Sequence, residues 1–406
     1  MIEKIKAAME NGDLVEKILH KCCFELKYHL SIVSRYYWGL TNRIENGKIL
    51  FLTFQGDYTC NPKYICNELI RNHYHGRLVW VIDGKKELMK EHFPKEVELV
   101  ERGTREYYKA LYSANIWIDN AFNVSREFVW KKRGQIYIET MHGALGIKRI
   151  DTGSVRNRKR NQRGDRCGAL TDYIIANSTF EEEVYRTSFW KDTSIWKLGH
   201  ARNDILLSNS QEKRQEVNIK VREHFHIPPN KKIVLYAPTF KDKKTDVEDL
   251  DFERLCIALE KKYGGEWVVI RREHHRDKGK AAREDHNMID GNDYSDIQEI
   301  MLAADVGITD YSSWIFDYMF LRKPAFLCVF DEEVYDKERG FYYPLKETPF
   351  LIAHCNDELE ENIMAFEQEQ YENQIETFLK QLGCYENGNA CNRIAKRIER
   401  LMEVRK

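Results

Sequence analysis

One histidine, His142, follows a short apolar segment and is a candidate for acid–base chemistry. The segment Gln135–Thr140 precedes it, and Gly143 beside it would let a substrate approach the backbone closely. Lys148 and Arg149 add positive charge nearby. An imidazole with a pKa near neutrality that faces a cleft is a suitable general base for a hydroxyl group. The alternative interpretation is a structural histidine with no catalytic role.

A second histidine candidate lies in the charged stretch RREHHR at positions 271–276, after the apolar run Trp267–Ile270. His274 and Arg272 favour an anion site over a metal site, because no further carboxylate or cysteine ligand stands at useful spacing. A solvated run of charges is the alternative. The carboxylates of Asp249-Leu-Asp251 precede a predicted helix, and we interpret them as a solvated cap. We therefore predict that no protein-bound metal is strictly required.

The most informative cluster is Thr309-Asp310-Tyr311-Ser312-Ser313, at the end of an apolar segment. Ser312 and Ser313 are predicted to open a helix whose inner face is apolar. Unpaired N–H groups at a helix start, with two hydroxyls beside them, form a suitable site for a diphosphate. A helix cap with no ligand is the alternative.

Two further clusters follow predicted strands. In the stretch GHARND at 199–204, Arg202 could form a fork to a phosphate oxygen, or it could pair with Asp204 and brace the loop. After Ile233–Ala237, Thr239 offers a hydroxyl and a backbone N–H to the cleft, or the segment is a plain turn.

The elements that must position these residues are short apolar runs that alternate with longer amphipathic ones. The predicted strands are Lys48–Phe54, Leu78–Asp83, Asn115–Asp119, Gln135–Thr140, Tyr173–Ala176, Ser194–Leu198, Ile233–Ala237, Trp267–Arg271, Asn287–Asp290, Val306–Thr309 and Ala325–Val329. Capping boxes at Ser178–Glu181 and Ser295–Gln298 predict helix starts between strands. Alternation of this kind predicts an α/β protein with parallel sheets covered on both faces.

The alternation pauses in a polar stretch at 208–230, where we place the junction between two domains that face each other across a cleft. The predicted division is a helical segment at 1–46, a first domain at 47–210 and a second domain at 211–406 with terminal helices. The aromatic and basic residues of 1–46 predict either a helix packed on the body or a helix that rests on an anionic membrane surface.

Composition excludes several classes of protein. The 406 residues carry 64 Lys+Arg and 65 Asp+Glu, which is not the balance of a globally basic nucleic-acid-binding protein. No apolar run approaches the roughly 18–20 residues of a membrane span, and no apolar signal core stands at the start. Ten cysteines without a C-x-x-C pair indicate reduced thiols in a cytoplasmic protein. The phosphate-binding G-x-x-x-x-G-K-[ST] and dinucleotide G-x-G-x-x-G patterns are absent, so no cofactor is expected.

The basic stretch at 155–166 contains six basic residues and one acid without aromatic residues between them. The lack of aromatics argues against single-stranded nucleic acid as a partner. A mobile lid, a polyanion-binding loop, a membrane contact and a solvated loop all stay open as interpretations.

Taken in order, these clusters resemble the CDP-glycerol glycerophosphotransferase family, the teichoic-acid glycerol and ribitol phosphate primases and polymerases. The similarity runs from about residue 49 to about residue 350 and rests on Asn61-Pro62-Lys63, His142-Gly143 with Lys148, Gly199-His-Ala-Arg202-Asn203-Asp204, Ala237-Pro238-Thr239-Phe240, Asp296-Ile-Gln-Glu, Asp305, Thr309-Asp310-Tyr311-Ser312-Ser313, Phe316-Asp317 and Arg339-Gly340-Phe341-Tyr342. The chain departs from the family pattern at Ala201, where proline is usual, and at 144–148, where Thr-Pro-Leu-Lys is usual.

The resemblance implies a glycosyltransferase-B type fold, with two Rossmann-like domains whose parallel sheets face a central cleft. It also implies a transferase that moves a polyol phosphate, glycerol phosphate above all, from CDP-glycerol or CDP-ribitol and releases CMP. The acceptor would be a hydroxyl of a cell-wall or capsule polymer or of a lipid-linked molecule. The protein would be cytoplasmic and peripheral on the inner face of the bacterial cell membrane, with no nucleic-acid partner.

The resemblance assigns roles to individual residues. His142 would be the base toward the acceptor, and His274 would contact the donor phosphates. The implied donor site comprises Thr239, Arg272, Asp310, Ser312, Ser313 and Arg339, and the implied acceptor or phosphate contacts are Gly143, Lys148, Arg202 and Asp204. Two other functions stay open: a nucleotide-sugar glycosyltransferase of the same fold, and a non-catalytic polyanion-binding protein acting through 156–166.

Overall fold

Two parallel β-sheets form the framework of the chain in this computed structural model. The structure describes residues 32–33, 35–127, 129–143, 145–146, 148–150, 158–239, 250–273 and 287–403. We call the part that contains the first sheet the N-lobe and the part that contains the second sheet the C-lobe. In the fully parallel sheets the strands are buried and nearly continuously apolar, because helices cover both faces.

The N-lobe sheet has seven strands in the order β3-β2-β1-β4-β5-β6-β7, and each pair is parallel. Its strands are β1 (Glu45–Leu52), β2 (Arg77–Ile82), β3 (Val97–Glu101), β4 (Ala114–Asp119), β5 (Ile136–Glu139), β6 (Tyr173–Ala176) and β7 (Ser194–Lys197). The strand order reverses direction between β1 and β4, which places an open crevice at the carboxyl ends of these two strands.

The C-lobe sheet has six parallel strands in the order β10-β9-β8-β11-β12-β13. They are β8 (Lys232–Tyr236), β9 (Trp267–Arg271), β10 (Met288–Asp290), β11 (Val306–Thr309), β12 (Ala325–Cys328) and β13 (Leu351–Ala353). Here the order reverses between β8 and β11, so the C-lobe has a crevice of the same kind.

Helices fill the connections. They are α1 (Cys60–Arg71), α2 (Lys86–Met89), α3 (Arg105–Ser113), α4 (Asn123–Arg126), α5 (Arg158–Leu170), α6 (Thr179–Thr187), α7 (Asp204–Leu207), α8 (Gln211–His224), α9 (Phe252–Tyr263), α10 (Ile297–Ala303), α11 (Trp314–Tyr318), α12 (Glu332–Arg339), α13 (Asn356–Ala365), α14 (Gln368–Gln381) and α15 (Ala390–Glu403). The last helix, α15, packs against α1, so the end of the described chain lies on the N-lobe. The proposed division at residue 210 therefore separates the two sheets but not every helix of the two lobes.

All eleven predicted strands are present within a few residues of their expected bounds. Two strands were missed. β3 lies at the sheet edge and carries Glu98 and Glu101 among its five residues, and β13 has only three residues, so neither gives a clear apolar run. The predicted cap at Asp251 is confirmed, since its side chain accepts a hydrogen bond from the backbone N–H of Arg254 at 3.0 Å.

The two capping boxes had different outcomes. Ser178 caps α6 as predicted, and its Oγ accepts from the N–H of Glu181 at 3.1 Å. The box that begins at Ser295 was wrong, because Asp296 caps α10 and accepts from the N–H of Gln298. An aspartate is as good an N-cap as a serine, and here its position fits the helix start.

The segment before β1 is helical at 35–41 and packs on the N-lobe through one face. Trp38 lies beneath the cationic groups of Arg105 and Lys109, each 4.8 Å from its ring. Tyr37 and Leu40, with Val33 and Tyr36, are largely exposed. The predicted helical segment begins at residue 1, and residues 1–31 lie outside the described part. No helix in the described ranges has both the length and the apolar character needed to cross a membrane.

Candidate active site

His142 lies in the turn after β5, at the crevice of the N-lobe. Its side chain is exposed, and its Nδ1 lies 2.5 Å from the carbonyl oxygen of Asn120, in the loop after β4. Its ring meets the ring of Phe54, in the loop after β1, edge to face at 5.6 Å. Because a carbonyl oxygen only accepts, Nδ1 carries the hydrogen, and in the neutral imidazole Nε2 is then the basic nitrogen.

A hydrogen bond between two loops shapes this crevice. The backbone N–H of Phe54 donates to the Asn120 side-chain oxygen at 3.2 Å, which joins the loops that follow β1 and β4. The two contacts of the His142 ring described above therefore come from the point at which the strand order reverses, the usual ligand position in an open parallel sheet.

The corresponding crevice of the C-lobe contains Thr239 and Asp310. The N–H of Thr239, after β8, donates to Oδ1 of Asp310, after β11, at 2.7 Å. The carbonyl oxygen of Ala237 accepts from Thr309 Oγ1 at 2.7 Å and from Trp314 Nε1 at 2.8 Å. These bonds fix the two strand ends side by side. Oδ2 of Asp310 is buried without a hydrogen-bond partner among the described residues, which leaves one acceptor in this crevice.

Ser312 and Ser313 precede α11, which begins at Trp314 rather than at Ser312 as predicted. Ser313 occupies the N-cap position, but its hydroxyl does not cap the helix. Both serines are half-buried, and neither hydroxyl makes a hydrogen bond to another residue in the described part of the chain. The hydroxyls and the first amides of the turn are therefore suited to an external acceptor.

The two crevices face each other. A methyl group placed on Gly143 would lie 3.3 Å from Oγ of Ser313, so the turn that contains His142 touches the turn that contains Ser313. Lys148 Nζ donates to Thr239 Oγ1 at 3.3 Å across the same gap. The structure therefore brings together five of the predicted positions, His142, Gly143, Lys148, Thr239 and Ser313, from motifs far apart in the sequence.

The stretch after α12 closes one side of this gap. Lys148 and Phe341 form an antiparallel β-bridge, and the N–H of Arg149 donates to the carbonyl of Gly340 at 3.3 Å. The backbone of Arg339 ends α12 next to these residues, while its side chain lies outside the described atoms. His274 lies outside the described residues, so its predicted role stays a prediction.

Arg272 lies at the end of β9, half-buried. Its guanidinium donates to the carbonyl oxygens of Tyr294 and Ser295, the latter at 3.1 Å. Burial lowers its pKa, although nearby carboxylates including Asp296 act in the other direction. Arg272 thus supports the loop before α10, and its predicted contact with the donor stays a prediction.

Arg202 and Asp204 differ from the prediction. Arg202 is fully buried, and its guanidinium pairs with the carboxylate of Asp317 on α11 at 2.8 and 3.2 Å. Burial alone would lower the pKa of Arg202, but the charge and hydrogen bonds of Asp317, together with the nearby Cys60 and Glu181, outweigh burial and raise the pKa. Asp204 accepts from the N–H groups of Ala390 and Cys391 at the start of α15. Both residues brace the fold instead of facing a phosphate, and they do so with other partners than each other.

A cluster that holds the lobes together was missed. Lys63 Nζ, on α1, contacts carboxylates of Asp296 at 2.5 Å and Glu299 at 2.8 Å, both from the C-lobe. Tyr64 donates to Asp296 at 2.9 Å, and Lys220 contacts Glu299 at 2.7 Å. We call these five residues the interlobe clamp. The sequence motif Asn61-Pro62-Lys63 contains the lysine of this clamp. The carboxylates that Lys63 contacts are more than 200 positions away in the chain, so the pairing could not be predicted from the sequence.

In the ranges that the structure describes, no group of three or more His, Cys, Asp or Glu side chains is arranged to hold a metal ion. That no bound metal is strictly required for the reaction stays a prediction.

Comparison with known proteins identifies relatives of the chain. The sequence profile described as CDP-Glycerol:Poly(glycerophosphate) glycerophosphotransferase matches residues 34–400. A teichoic acid poly(glycerol phosphate) polymerase from Staphylococcus epidermidis is 30% identical over 392 residues, which is 90% of this chain and 53% of the relative. A polymerase of the same description from Bacillus spizizenii is 27% identical over 404 residues, 94% of this chain and 99% of the relative.

Solved structures show the same likeness. A histidine-to-alanine variant of the wall teichoic acid polymerase TagF superposes with a TM-score of 0.80 at 29% identity, over 94% of this chain and 98% of that chain. A histidine-to-asparagine variant of TagF soaked with CDPG superposes with a TM-score of 0.78 at 26% identity, over 96% and 97%. The two parallel sheets together with this likeness confirm the predicted glycosyltransferase-B type fold.

The chain spans about half the length of two of the curated relatives it matches, at 53% and 45%. The profile match nevertheless covers most of the described chain. The chain therefore belongs to the CDP-glycerol:poly(glycerophosphate) glycerophosphotransferase family.

Proposed function

We propose that the chain transfers glycerol phosphate from CDP-glycerol to a hydroxyl group of an acceptor and releases CMP. The observation that carries the proposal is the contact between the His142 turn and the Ser312–Ser313 turn, where a methyl group added to Gly143 would lie 3.3 Å from Ser313 Oγ. A substrate at this junction would meet a candidate base on one side. On the other side it would meet two serine hydroxyls that have no hydrogen-bond partner in the described ranges. The relatives with glycerol-phosphate activity in their names support glycerol over ribitol as the polyol.

The donor diphosphate is proposed to lie in the C-lobe crevice. The hydroxyls of Ser312 and Ser313 and the first amides of α11 can donate to phosphate oxygens, and the Lys148 ammonium beside Thr239 adds positive charge. Oδ2 of Asp310, which has no hydrogen-bond partner among the residues that the structure describes, is an acceptor and suits a hydroxyl of the donor better than a phosphate oxygen. His274, Arg272 and Arg339 complete the proposed donor site on the strength of the family resemblance.

The proposed reaction is one displacement at phosphorus. The acceptor oxygen forms a bond to the phosphorus that carries glycerol, and the bond from that phosphorus to the bridging oxygen breaks. CMP leaves with the electron pair of that bond. Nε2 of His142 takes the proton of the acceptor hydroxyl, a step worth about 10²–10⁴-fold in rate. Positioning and positive charge near the leaving phosphate supply most of the remaining acceleration.

The acceptor is proposed to be a lipid-linked or polymeric chain, reached at the inner face of the cell membrane. The exposed side chains of Val33, Tyr36, Tyr37 and Leu40 support attachment to a membrane surface, since an exposed aromatic and aliphatic helix face suits the lipid interface. A vesicle co-sedimentation assay tests this. A variant with these four residues changed to serine is expected to leave the vesicles, and unchanged co-sedimentation would contradict this helix as the anchor.

A donor screen tests the reaction. We would incubate the chain with CDP-glycerol, CDP-ribitol or UDP-sugars and an acceptor, then measure CMP or UDP release and product mass. CDP-glycerol is expected to give CMP and a product heavier by one or more glycerol phosphate units. Transfer from a UDP-sugar alone would refute the proposal, and binding of polyanions without CMP release would support a non-catalytic role instead.

Variants test the role of His142. His142→Ala is expected to lower turnover at least a hundredfold, on the order of a lost general base, while calorimetry shows unchanged CDP affinity. His75→Ala is the matched control. His75 is exposed and lies just before the first residue of β2, so it is at the opposite end of the strands from the crevice. Loss of CDP affinity in His142→Ala would place His142 in the donor site instead.

A further inference from the structure

Behind His142 lies a buried pair of carboxyl groups that no part of the proposed reaction uses. Asp119 ends β4 and Glu139 ends β5, and both are fully buried. Because they are sealed from solvent, neither can touch a substrate. Their hydrogen bonds, however, reach the two backbone points that hold the His142 ring.

We propose that Glu139 is a positioning residue for His142, acting as a neutral acid in a chain of hydrogen bonds through Tyr137 to Asp119. This inference rests on the proposed role of His142 as the base. It assigns to the buried strand ends the task of holding the imidazole toward the C-lobe.

The first anchor is the backbone of Met141. Its N–H donates to Oε1 of Glu139 at 3.0 Å, and its carbonyl oxygen accepts from the side-chain amide of Asn61 at 3.1 Å. Met141 has φ of 51°, a left-handed conformation that is unfavourable for a residue with a side chain. The bonds from Glu139 and Asn61 therefore maintain a turn that the residue would not adopt alone, and this turn directs His142 into the crevice.

The second anchor is the carbonyl of Asn120, which accepts from Nδ1 of His142. Asp119 fixes the loop that follows this carbonyl, because its carboxylate accepts from the N–H groups of Ala121 at 3.0 Å and Val124 at 3.1 Å. It also accepts from the Asn123 amide at 2.8 Å. Asp119 thus has the donors that an ionised carboxylate needs.

The hydrogens can be counted at Tyr137. Its hydroxyl oxygen lies 2.9 Å from Oδ2 of Asp119 and 3.1 Å from Oε2 of Glu139. A hydroxyl has one hydrogen, so it donates to the ionised Asp119 and must accept from the other carboxyl group. Glu139 therefore carries a proton on Oε2, while its Oε1 stays an acceptor for Met141. Burial and the charge of Asp119 raise the pKa of Glu139, which agrees with this arrangement.

One more titratable group faces Glu139. Cys167 Sγ, from α5, lies 3.5 Å from the Tyr137 hydroxyl oxygen, 3.6 Å from Oε2 of Glu139 and 3.7 Å from Thr171 Oγ1. Burial raises the pKa of the thiol, and the charge of Asp119 acts in the same direction, so the thiol stays neutral. The group behind the His142 turn thus holds a single negative charge, on Asp119.

A glutamine substitution separates positioning from charge. In Glu139→Gln the amide oxygen can accept from Met141 and the amide nitrogen can donate to Tyr137, so the variant reproduces a neutral acid. Turnover is expected within about twofold of the parent chain across the pH profile. Glu139→Leu keeps a similar volume but removes both bonds, and turnover is expected to fall about tenfold to hundredfold with CDP-glycerol affinity unchanged. Tyr137→Phe is the milder variant, should Glu139→Leu not fold, and is expected to lower turnover about threefold to tenfold.

A double-variant cycle decides whether the effect passes through His142. If Glu139 acts by positioning, Glu139→Leu or Tyr137→Phe should cost nothing further in a His142→Ala chain. Independent, multiplicative losses would overturn the positioning role, as would a loss of roughly tenfold or more in Glu139→Gln. An active His142→Ala chain would refute the base itself, whereas an inactive His142→Ala beside fully active Glu139→Leu and Tyr137→Phe would refute only the positioning role.

Discussion

The buried ion pair between Arg202 and Asp317 gives a sharp prediction, because it ties the end of the N-lobe sheet to α11 of the C-lobe. Their side chains are 1% and 3% exposed, and two hydrogen bonds join them. Arg202→Met would leave the Asp317 carboxylate without its partner in a dry site. Loss of one member of a buried pair costs about 3–5 kcal/mol of unfolding free energy.

Replacement of both members should cost much less than replacement of one. In the double variant Arg202→Met with Asp317→Leu, no uncompensated charge remains, and two apolar side chains of similar size fill the space. Exchanges of this kind are near neutral or stabilising. The double variant is therefore expected to lie within about 1–2 kcal/mol of the parent chain, with a large favourable coupling energy.

Urea unfolding followed by tryptophan fluorescence measures these differences. Arg202→Met is expected to lower the midpoint by about 1–2 M, and the double variant to recover most of it. Arg254→Met is the matched control, since Arg254 pairs with Asp357 and Glu360 at the surface, and its midpoint should hardly move. An Arg202→Met chain with the parent midpoint but roughly tenfold weaker CDP-glycerol binding would refute the bracing role and restore a phosphate contact.

Three further substitutions test other parts of the molecule. Gly143→Ala would place a methyl group 3.3 Å from Ser313 Oγ. We expect kcat/KM to fall about tenfold while the melting temperature stays unchanged. A variant with the full rate of the parent chain would contradict the close approach of the lobes. Lys63→Met leaves the carboxylates of Asp296 and Glu299 in the interlobe clamp without the lysine cation that both contact. Calorimetric or urea unfolding should show that the free energy of unfolding falls by about 2–4 kcal/mol. A fall below about 0.5 kcal/mol, on the order of a surface ion pair, would argue against the clamp. Burial raises the pKa of Glu386 to about 7 from 4.5, so its contribution to stability falls as the pH rises through that window. As the pH rises from about 5 to about 8, the free energy of unfolding of the parent chain should fall by about 1–3 kcal/mol more than that of Glu386→Gln, as measured by urea titration. Equal falls in the two chains would contradict the raised pKa.

Much of the fold was predictable because the strands of a buried parallel sheet are continuous apolar runs. Eleven strands showed this pattern, and the site positions followed from the rule that ligands bind beyond the carboxyl ends of such strands. That rule placed His142 and Thr239 at the crevices without any knowledge of strand order. The failures were short or polar elements, such as β13 with three residues and β3 with two glutamates.

What the sequence could not supply was the identity of distant partners. Arg202 stands close to Asp204 in the chain, and local pairing was a natural expectation, yet tertiary packing brings Asp317 to it instead. The same holds for Lys63, whose carboxylate partners follow a loop of the other lobe. Charged residues with long side chains pair with whichever opposite charge is close to them in the folded chain. That proximity depends on how the two lobes are arranged and not on the local sequence pattern.

A crystal structure of the chain with CDP-glycerol bound would test the proposed donor site and the proposed base together. We predict phosphate oxygens about 3 Å from the hydroxyl or amide groups of Ser312 and Ser313, and the imidazole of His142 facing the glycerol-bearing phosphorus across the gap. A nucleotide bound outside the C-lobe crevice, or a His142 side chain turned away from the donor, would contradict both assignments.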